Sequence, residues 1–172
     1  DGIDISHCST DGIKKIKILS EKTYKYTLSI QSFIKLIKIK NKNNKKNIEE
    51  YDIKITKFII LYLNKFLKEF KITKKNIDFI SLSGQTIMHS PKNKYTLQLG
   101  NASLISNFFK LNVVSDFRIN DIVNGGQGAP IGAYYHKLLI DKINTHSVII
   151  NLGGVANFSL INNNKLISSD IG

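Results

Sequence analysis

Asp116 closes a short apolar run, Leu111-Asn112-Val113-Val114-Ser115, and two residues later stands Arg118, the one arginine in a chain with 24 lysines. A carboxylate at the C-terminal end of a strand can take a proton from water or from a substrate hydroxyl, and a general base of this kind contributes roughly 10²–10⁴-fold. A guanidinium fork can hold a carboxylate or phosphate through two parallel bonds, which an ammonium cannot do. The same spacing also suits a structural Asp116–Arg118 ion pair. Further on, Gly125-Gly126-Gln127-Gly128 excludes an ordinary helix or strand, because its glycines carry an entropic cost in either. A ligand loop and a plain loop fit it equally.

Three more polar segments contain glycine next to apolar runs: Asp1-Gly2-Ile3-Asp4, Ser83-Gly84-Gln85-Thr86 and Asn151-Leu152-Gly153-Gly154. Such segments at strand ends are where α/β proteins place ligands. Each alone is weak, since a glycine pair after a strand is usually a turn. Together they point to a phosphate site, because glycine lets backbone N–H groups approach anionic oxygens. There is no P-loop, as the lysine and hydroxyl that follow its glycines are absent. His7, His89, His136 and His146 lack metal-ligand spacing and read as surface or packed residues. The lone Cys8 excludes an internal disulfide and a cysteine metal cluster and reads as a small core residue.

These segments need elements to hold them. Residues 3–8, 13–19 and 24–30 alternate apolar and polar, which predicts three consecutive antiparallel strands with Asp11-Gly12 as a tight turn. Residues 32–40 suit a helix, and 41–47, almost wholly Lys and Asn, an exposed loop. In 54–70 the apolar residues Ile55, Phe58, Ile59, Tyr62, Leu63, Phe66 and Leu67 have helical spacing. Strands are predicted over 77–82, 96–99, 111–115, 148–151, 156–161 and 166–169. Helices are predicted over 102–109 and 129–143, with Pro130 in the first turn of the latter. Antiparallel strands followed by alternating strands and helices predict an α/β fold.

The 172 residues suffice for one domain or one lobe of a larger enzyme, and 42% are hydrophobic, enough for a core. No apolar stretch reaches the roughly 18 residues of a membrane span. The first residues lack the basic and apolar regions of a signal peptide, so a cytoplasmic location is expected and no membrane partner. The net charge of +12 raises the question of nucleic acid. However, 29 Ile, 24 Lys and 18 Asn all come from A/T-rich codons, and a nucleic-acid binder would keep several arginines for bidentate contacts. The charge is read as a solvated lysine surface, with no nucleic-acid partner expected.

Ser83-Gly84-Gln85-Thr86-Ile87-Met88-His89-Ser90-Pro91, then Tyr95-Thr96-Leu97-Gln98-Leu99-Gly100, resemble the Gly-Gln-Thr and Thr-Leu-Gln-Ile-Gly segments of the anhydro-N-acetylmuramic acid kinases. Asp116-Phe117-Arg118 through Gly125-Gly126-Gln127-Gly128-Ala129-Pro130 resembles the most distinctive block of that family. Asn151-Leu152-Gly153-Gly154-Val155-Ala156-Asn157 resembles its Asn-Leu/Ile-Gly-Gly-Ile-Ala-Asn segment, and Asp1-Gly2-Ile3-Asp4 the tail of its first phosphate loop. The resemblance runs in order along nearly the whole chain. It implies an actin-like, ribonuclease-H-like lobe with a mixed sheet flanked by helices, residues 1–172 being the N-terminal lobe of a two-lobed sugar kinase whose second lobe is absent. It implies ATP and Mg2+ as cofactors, with no assignment of metal ligands, and a small-molecule sugar as partner, and it allows a homodimer. The implied reaction opens 1,6-anhydro-N-acetylmuramic acid with water and phosphorylates O6.

By motif position the resemblance makes Asp116 the base that activates water. It gives Arg118, Gln85, Thr86, Gly125, Gly126 and Gln127 to the sugar, and Asp1, Gly2, Ile3, Asp4, Gly153, Gly154 and Asn157 to ATP phosphates. Two departures stand out. Ser83 occupies the place of a family histidine, and Ile171 that of a threonine. The absent second lobe favours, as alternative, a non-catalytic remnant of such a kinase, with Ser83 and Ile171 the first suspects for lost chemistry; a basic nucleic-acid-binding module is the lesser alternative.

Overall fold

The computed structural model describes residues 2–40, 47–140, 147–152, 156–162 and 165–171. It opens with an antiparallel hairpin of β1 (Gly2–Thr10) and β2 (Ile16–Lys25). Asp11 sets the turn: its Oδ1 accepts the backbone N–H groups of Lys15, Lys14 and Ile13 at 2.8, 2.9 and 3.0 Å. Gly12 beside it takes a φ of +74°, a conformation open to glycine at no steric cost. The alternation over residues 13–30 predicts two strands; the chain instead forms one, and residues 28–30 open α1 (Leu28–Lys40). Ile30, Ile34 and Ile37 are all buried, and their one-face helical spacing outweighs the local alternation. Cys8 is exposed rather than in the core; it sits where the β1–β2 register shifts after His7.

The amphipathic helix predicted over 54–70 is α2 (Ile48–Glu69). It starts a turn and a half earlier because Ile48 and Tyr51 reach a core and Glu49 and Glu50 occupy its first turn, where negative charge suits the helix dipole. This helix divides two apolar clusters. Phe66 and Leu67 join Tyr24, Leu82, Ile105 and Phe109 on one side. Ile55 joins Ile30, Ile34, Ile37, Ile87 and Leu99 on the other. Ile59 and Tyr62 pack against both.

Beyond α2, β3 (Phe79–Ser81) pairs in parallel with β6 (Asn112–Val114). β4 (Gln85–Ser90) and β5 (Tyr95–Leu99) form an antiparallel hairpin. α3 (Ala102–Phe109) connects this hairpin to β6, its N-terminus capped by Asn101 Oδ1, which accepts the Leu104 N–H at 3.0 Å. After β6 come α4 (Phe117–Val123) and α5 (Ala133–Ile140), and then a three-stranded antiparallel sheet of β7 (Ser147–Asn151), β8 (Asn157–Asn162) and β9 (Lys165–Asp170). α5 packs on β8 and β9. Its first residue is Ala133, so Pro130 precedes the helix instead of lying in its first turn. Residues 141–143 of that expected helix, and 41–46 of the expected loop, lie outside the described residues.

The α/β class holds. Parallel and antiparallel pairing both occur, but among the described residues the strands fall into four sheets, not one mixed sheet. No helix among the described residues is long and apolar enough to cross a membrane.

Candidate functional site

Asp116 sits between the end of β6 and the first residue of α4 with φ +65° and ψ +27°. A left-handed conformation costs an L-residue roughly 1–2 kcal/mol, and Asp is among the few that bear it. The site holds it from two directions: its carbonyl accepts the Asn120 N–H at 2.9 Å, and Ser115 Oγ donates to its Oδ2 at 2.7 Å. Asp116 is exposed, and among the described residues its Oδ1 has no hydrogen-bond partner. A carboxylate with one oxygen held and the other open leaves an acceptor free for a proton or a hydrogen bond.

Arg118 does not pair with Asp116. The ion pair found among the described residues is Lys22 with Glu69. Arg118 Nη1 donates instead to the carbonyl of Gly128 at 2.8 Å, which ties the far end of the glycine loop back to α4. The loop is built against that helix. Asn124 N–H reaches the carbonyls of Asn120 and Asp121, Gly125 N–H that of Ile122, and Gly126 N–H that of Asp121 at 2.8 Å. Gly125 and Gly128 take φ of +92° and +69°. At Gly128 a Cβ would also lie 3.0 Å from the Arg118 carbonyl and from Ile122. Gln127 is exposed beside them.

The Gln85 segment is joined to the hairpin, not to a loose turn. Gly84, at φ +70°, has no room for a Cβ, which would meet the Leu99 carbonyl at 2.9 Å. Gln85 and Thr86 then pair with Leu99 and Gln98 in β4–β5. Gln85 Oε1 accepts the Tyr26 hydroxyl at 3.0 Å. Burial first, then the negative charge of Asp4, pushes the Tyr26 phenol up. The turn that leaves the same end of β5, next to Gly84, is pinned from α2: Asp52 Oδ1 accepts the Gly100 N–H at 2.6 Å, and Thr56 Oγ1 the Asn101 N–H at 2.8 Å. α4 packs beside β5, so the Asp116 block and the Gln85 hairpin are neighbours.

Gly2, Ile3 and Asp4, expected in a phosphate-binding turn, lie inside β1, paired with Lys25, Tyr24 and Thr23. A Cβ at Gly2 would stand 2.5 Å from the Tyr24 carbonyl, so close strand approach alone accounts for that glycine. Thr23 Oγ1 donates to Asp4 Oδ1 at 2.5 Å. These three residues share a cavity of about 780 Å³ with Ser83, Gly84 and Gln85, floored by Phe58, Ile59 and Phe66 of α2. The Asp116 block does not line it. Asn157 is on β8, and its register sets it abreast of Asn151 and Asp170, a polar end on which two amides and a carboxylate suit phosphate oxygens and a hard cation respectively. Asp1, Gly153 and Gly154 lie outside the described residues.

Two features escape a reading by motif. Asp121 receives the Gly128 N–H on its Oδ2 at 2.7 Å. The available signal is an acidic side chain one turn before a glycine run whose N–H groups need acceptors. His136 Nδ1 lies 2.8 Å from Ser159 Oγ, which joins α5 to a fully buried serine of β8; a polar residue in an apolar strand was its only trace.

A family model described as anhydro-N-acetylmuramic acid kinase matches residues 1–172. The chain is similar to the anhydro-N-acetylmuramic acid kinase of Pelagibacter ubique, 36% identical over 183 residues that cover 100% of this chain and 48% of the relative. That of Sulfurimonas denitrificans is also 36% identical, over 94% of this chain and 44% of the relative. That of Legionella pneumophila is 41% identical, over 64% of this chain and 31% of the relative. The chain thus spans about half the length, or less, of these relatives.

Proposed function

The chain belongs to the anhydro-N-acetylmuramic acid kinase family, and from that premise we propose that it carries the sugar-side machinery of an ATP-dependent kinase. The reaction hydrolyses the 1,6-anhydro bond of anhydro-N-acetylmuramic acid and phosphorylates the freed O6. The product is N-acetylmuramic acid 6-phosphate, in peptidoglycan recycling and amino sugar metabolism. The observation that supports this reading best is Asp116, with one carboxylate oxygen held by Ser115 and the other open, beside a glycine loop clasped to its own helix.

Chemically, Asp116 takes a proton from water as the oxygen attacks the anomeric carbon. The bond from that carbon to O6 breaks, and O6 becomes the acceptor of a phosphoryl group. Arg118, with Nη1 already on Gly128, keeps its remaining N–H donors for the sugar's carboxylate. Gln85, Thr86, Gly125, Gly126 and Gln127 orient the sugar through amide and backbone donors. ATP, when bound, supplies the phosphoryl group; Asn157 with Asp1, Gly153 and Gly154 would hold its phosphates, Gly2 to Asp4 would contribute from the start of β1 and not from a turn, and Mg2+ would offset the phosphate charge. Residues 1–172 are read as the N-terminal lobe of a two-lobed, actin-like, ribonuclease-H-like kinase of the cytoplasm.

The test is a single-turnover reaction of this chain with anhydro-N-acetylmuramic acid, ATP and Mg2+, read by mass spectrometry, alongside calorimetric titration of the sugar. Product, or saturable sugar binding, supports the reading. A chain that neither binds the sugar nor turns it over sinks it.

A further inference from the structure

Gly128 is gripped at both of its backbone polar groups. Its N–H goes to Asp121 Oδ2 at 2.7 Å, and its carbonyl to Arg118 Nη1 at 2.8 Å. Both side chains stand on α4, one helical turn apart, so the last residue of the glycine run is fixed relative to the helix that begins just after Asp116. Asp121 also acts on the middle of the loop. Its backbone carbonyl accepts the Gly126 N–H at 2.8 Å, and its carboxylate fills the place where a Cβ of residue 126 would be. An alanine there would bring that carbon to 2.1 Å from Oδ2, 2.5 Å from Oδ1 and 2.4 Å from Cγ. The carboxylate could swing aside only by releasing Gly128.

From this geometry we propose that Asp121 is a positioning residue. It folds the loop at 124–128 onto α4 and so presents Gly125, Gly126 and Gln127 to the sugar; that last step rests on the function proposed above. The absence of a side chain at Gly126 is the counterpart of the carboxylate at Asp121. The two form one device, because the space that the glycine leaves is the space that the carboxylate occupies. An acceptor on a short, one-carbon stem meets the Gly128 N–H without leaving the helix surface. A longer carboxylate would push the loop outward, and an alanine would leave the N–H of Gly128 without its partner.

The experiment uses the 172-residue chain and the variants Asp121→Asn, Asp121→Ala, Gly126→Ala and the double Asp121→Ala/Gly126→Ala. Amide hydrogen exchange at Gly126 and Gly128 is measured with the dissociation constant for anhydro-N-acetylmuramic acid. Asp121→Ala is expected to speed exchange at Gly128 at least tenfold and weaken sugar binding about tenfold, with exchange in α2 unchanged. Asp121→Asn, which keeps an acceptor oxygen in place, is expected to restore most of both. Gly126→Ala alone is expected to match Asp121→Ala, and to add less than twofold once the carboxylate is gone. Additive losses in the double variant, or exchange at Gly128 within twofold of the unaltered chain in Asp121→Ala, would overturn the proposal. If the unaltered chain does not bind the sugar, the sugar-presenting half fails with the proposed function, while the exchange data still decide whether Asp121 shapes the loop.

Discussion

Arg118 donates from Nη1 to the carbonyl oxygen of Gly128 at 2.8 Å, across ten residues of chain that form α4 and the glycine loop. The arginine therefore has a structural task apart from any substrate. A lysine is a point charge on a flexible stem and does not reproduce a planar donor held at a set angle. Arg118→Lys is expected to lower stability by about 1.5–3 kcal/mol, the range for a hydrogen bond that involves a charged group. Urea unfolding together with exchange at the loop amides checks this. Unchanged stability with weakened sugar binding would make Arg118 a ligand only.

Asp116→Asn is expected to leave the fold intact. Asn is, with Asp, among the residues other than glycine that best tolerate a φ near +65°, so the left-handed position is kept, and the hydroxyl of Ser115 can still bond its side-chain oxygen. What is lost is the ability to take a proton. If Asp116 is the base, turnover in a catalytically competent form falls by roughly 10²–10⁴-fold with sugar and ATP binding near their original levels. Retained turnover would remove Asp116 from the mechanism.

How far the sequence foretold this arrangement depends on whether the signal was local. The stripe from Ile55 to Leu67 lies along a single helix, so its period alone located α2; the first turn and a half was hidden because only Ile48 and Tyr51 mark it. The start of α1 is hidden in the sequence because Leu28-Ser29-Ile30 alternates as a strand would, and only the burial of Ile30 with Ile34 and Ile37 decides the matter. β4 carries no strand signal of its own. Gln85-Thr86-Ile87-Met88-His89-Ser90 is mostly polar, and its pairing is supplied by β5. The seven residues of α4 are too few for a periodic signal. At the site, the position of Asp116 at a strand end was legible, as was the glycine loop. The partner of Arg118 was not, because a bond to the carbonyl of Gly128 depends on how the loop closes and no residue type announces it.

Thr56 is fully buried on α2. Its hydroxyl donates to the Asp52 carbonyl at 2.6 Å and accepts the Asn101 N–H at 2.8 Å, so it holds the turn that joins β5 to α3. Valine has nearly the same shape and is more apolar, yet Thr56→Val is expected to destabilise by about 1–3 kcal/mol because it strands the Asn101 N–H. Thr56→Ser loses one methyl, about 1 kcal/mol, and keeps both bonds. Chemical unfolding that ranks valine at or above serine would show that the hydroxyl does not hold the turn.

Tyr24 and Glu69 give the fold a limit at each end of the pH scale. The Tyr24 hydroxyl donates to Glu69 Oε2 at 2.8 Å, and Lys22 pairs with the other carboxylate oxygen. Hydrogen bonds from Lys22, then from Tyr24, hold Glu69 below its ordinary value of 4.5. The native state therefore binds this proton more weakly than the unfolded chain does, and the contribution of Glu69 to stability is lost as pH falls below about 4.5. Burial first, then the bond to Glu69, pushes Tyr24 from 10.0 up to about 12. Here the native state binds the proton more tightly, so the contribution is whole below pH 10 and is lost as pH rises toward 12. Phenylalanine at position 24 has no proton to lose. The difference in unfolding midpoint between the unaltered chain and Tyr24→Phe is expected to be flat between the titration of Glu69 and pH 10, then to shift in favour of the variant as pH rises toward 12. Glu69→Gln is expected to flatten the acid side. A difference between Tyr24→Phe and the unaltered chain that stays constant up to pH 12 would mean that the Tyr24 phenol ionises equally in both states and is not held by Glu69.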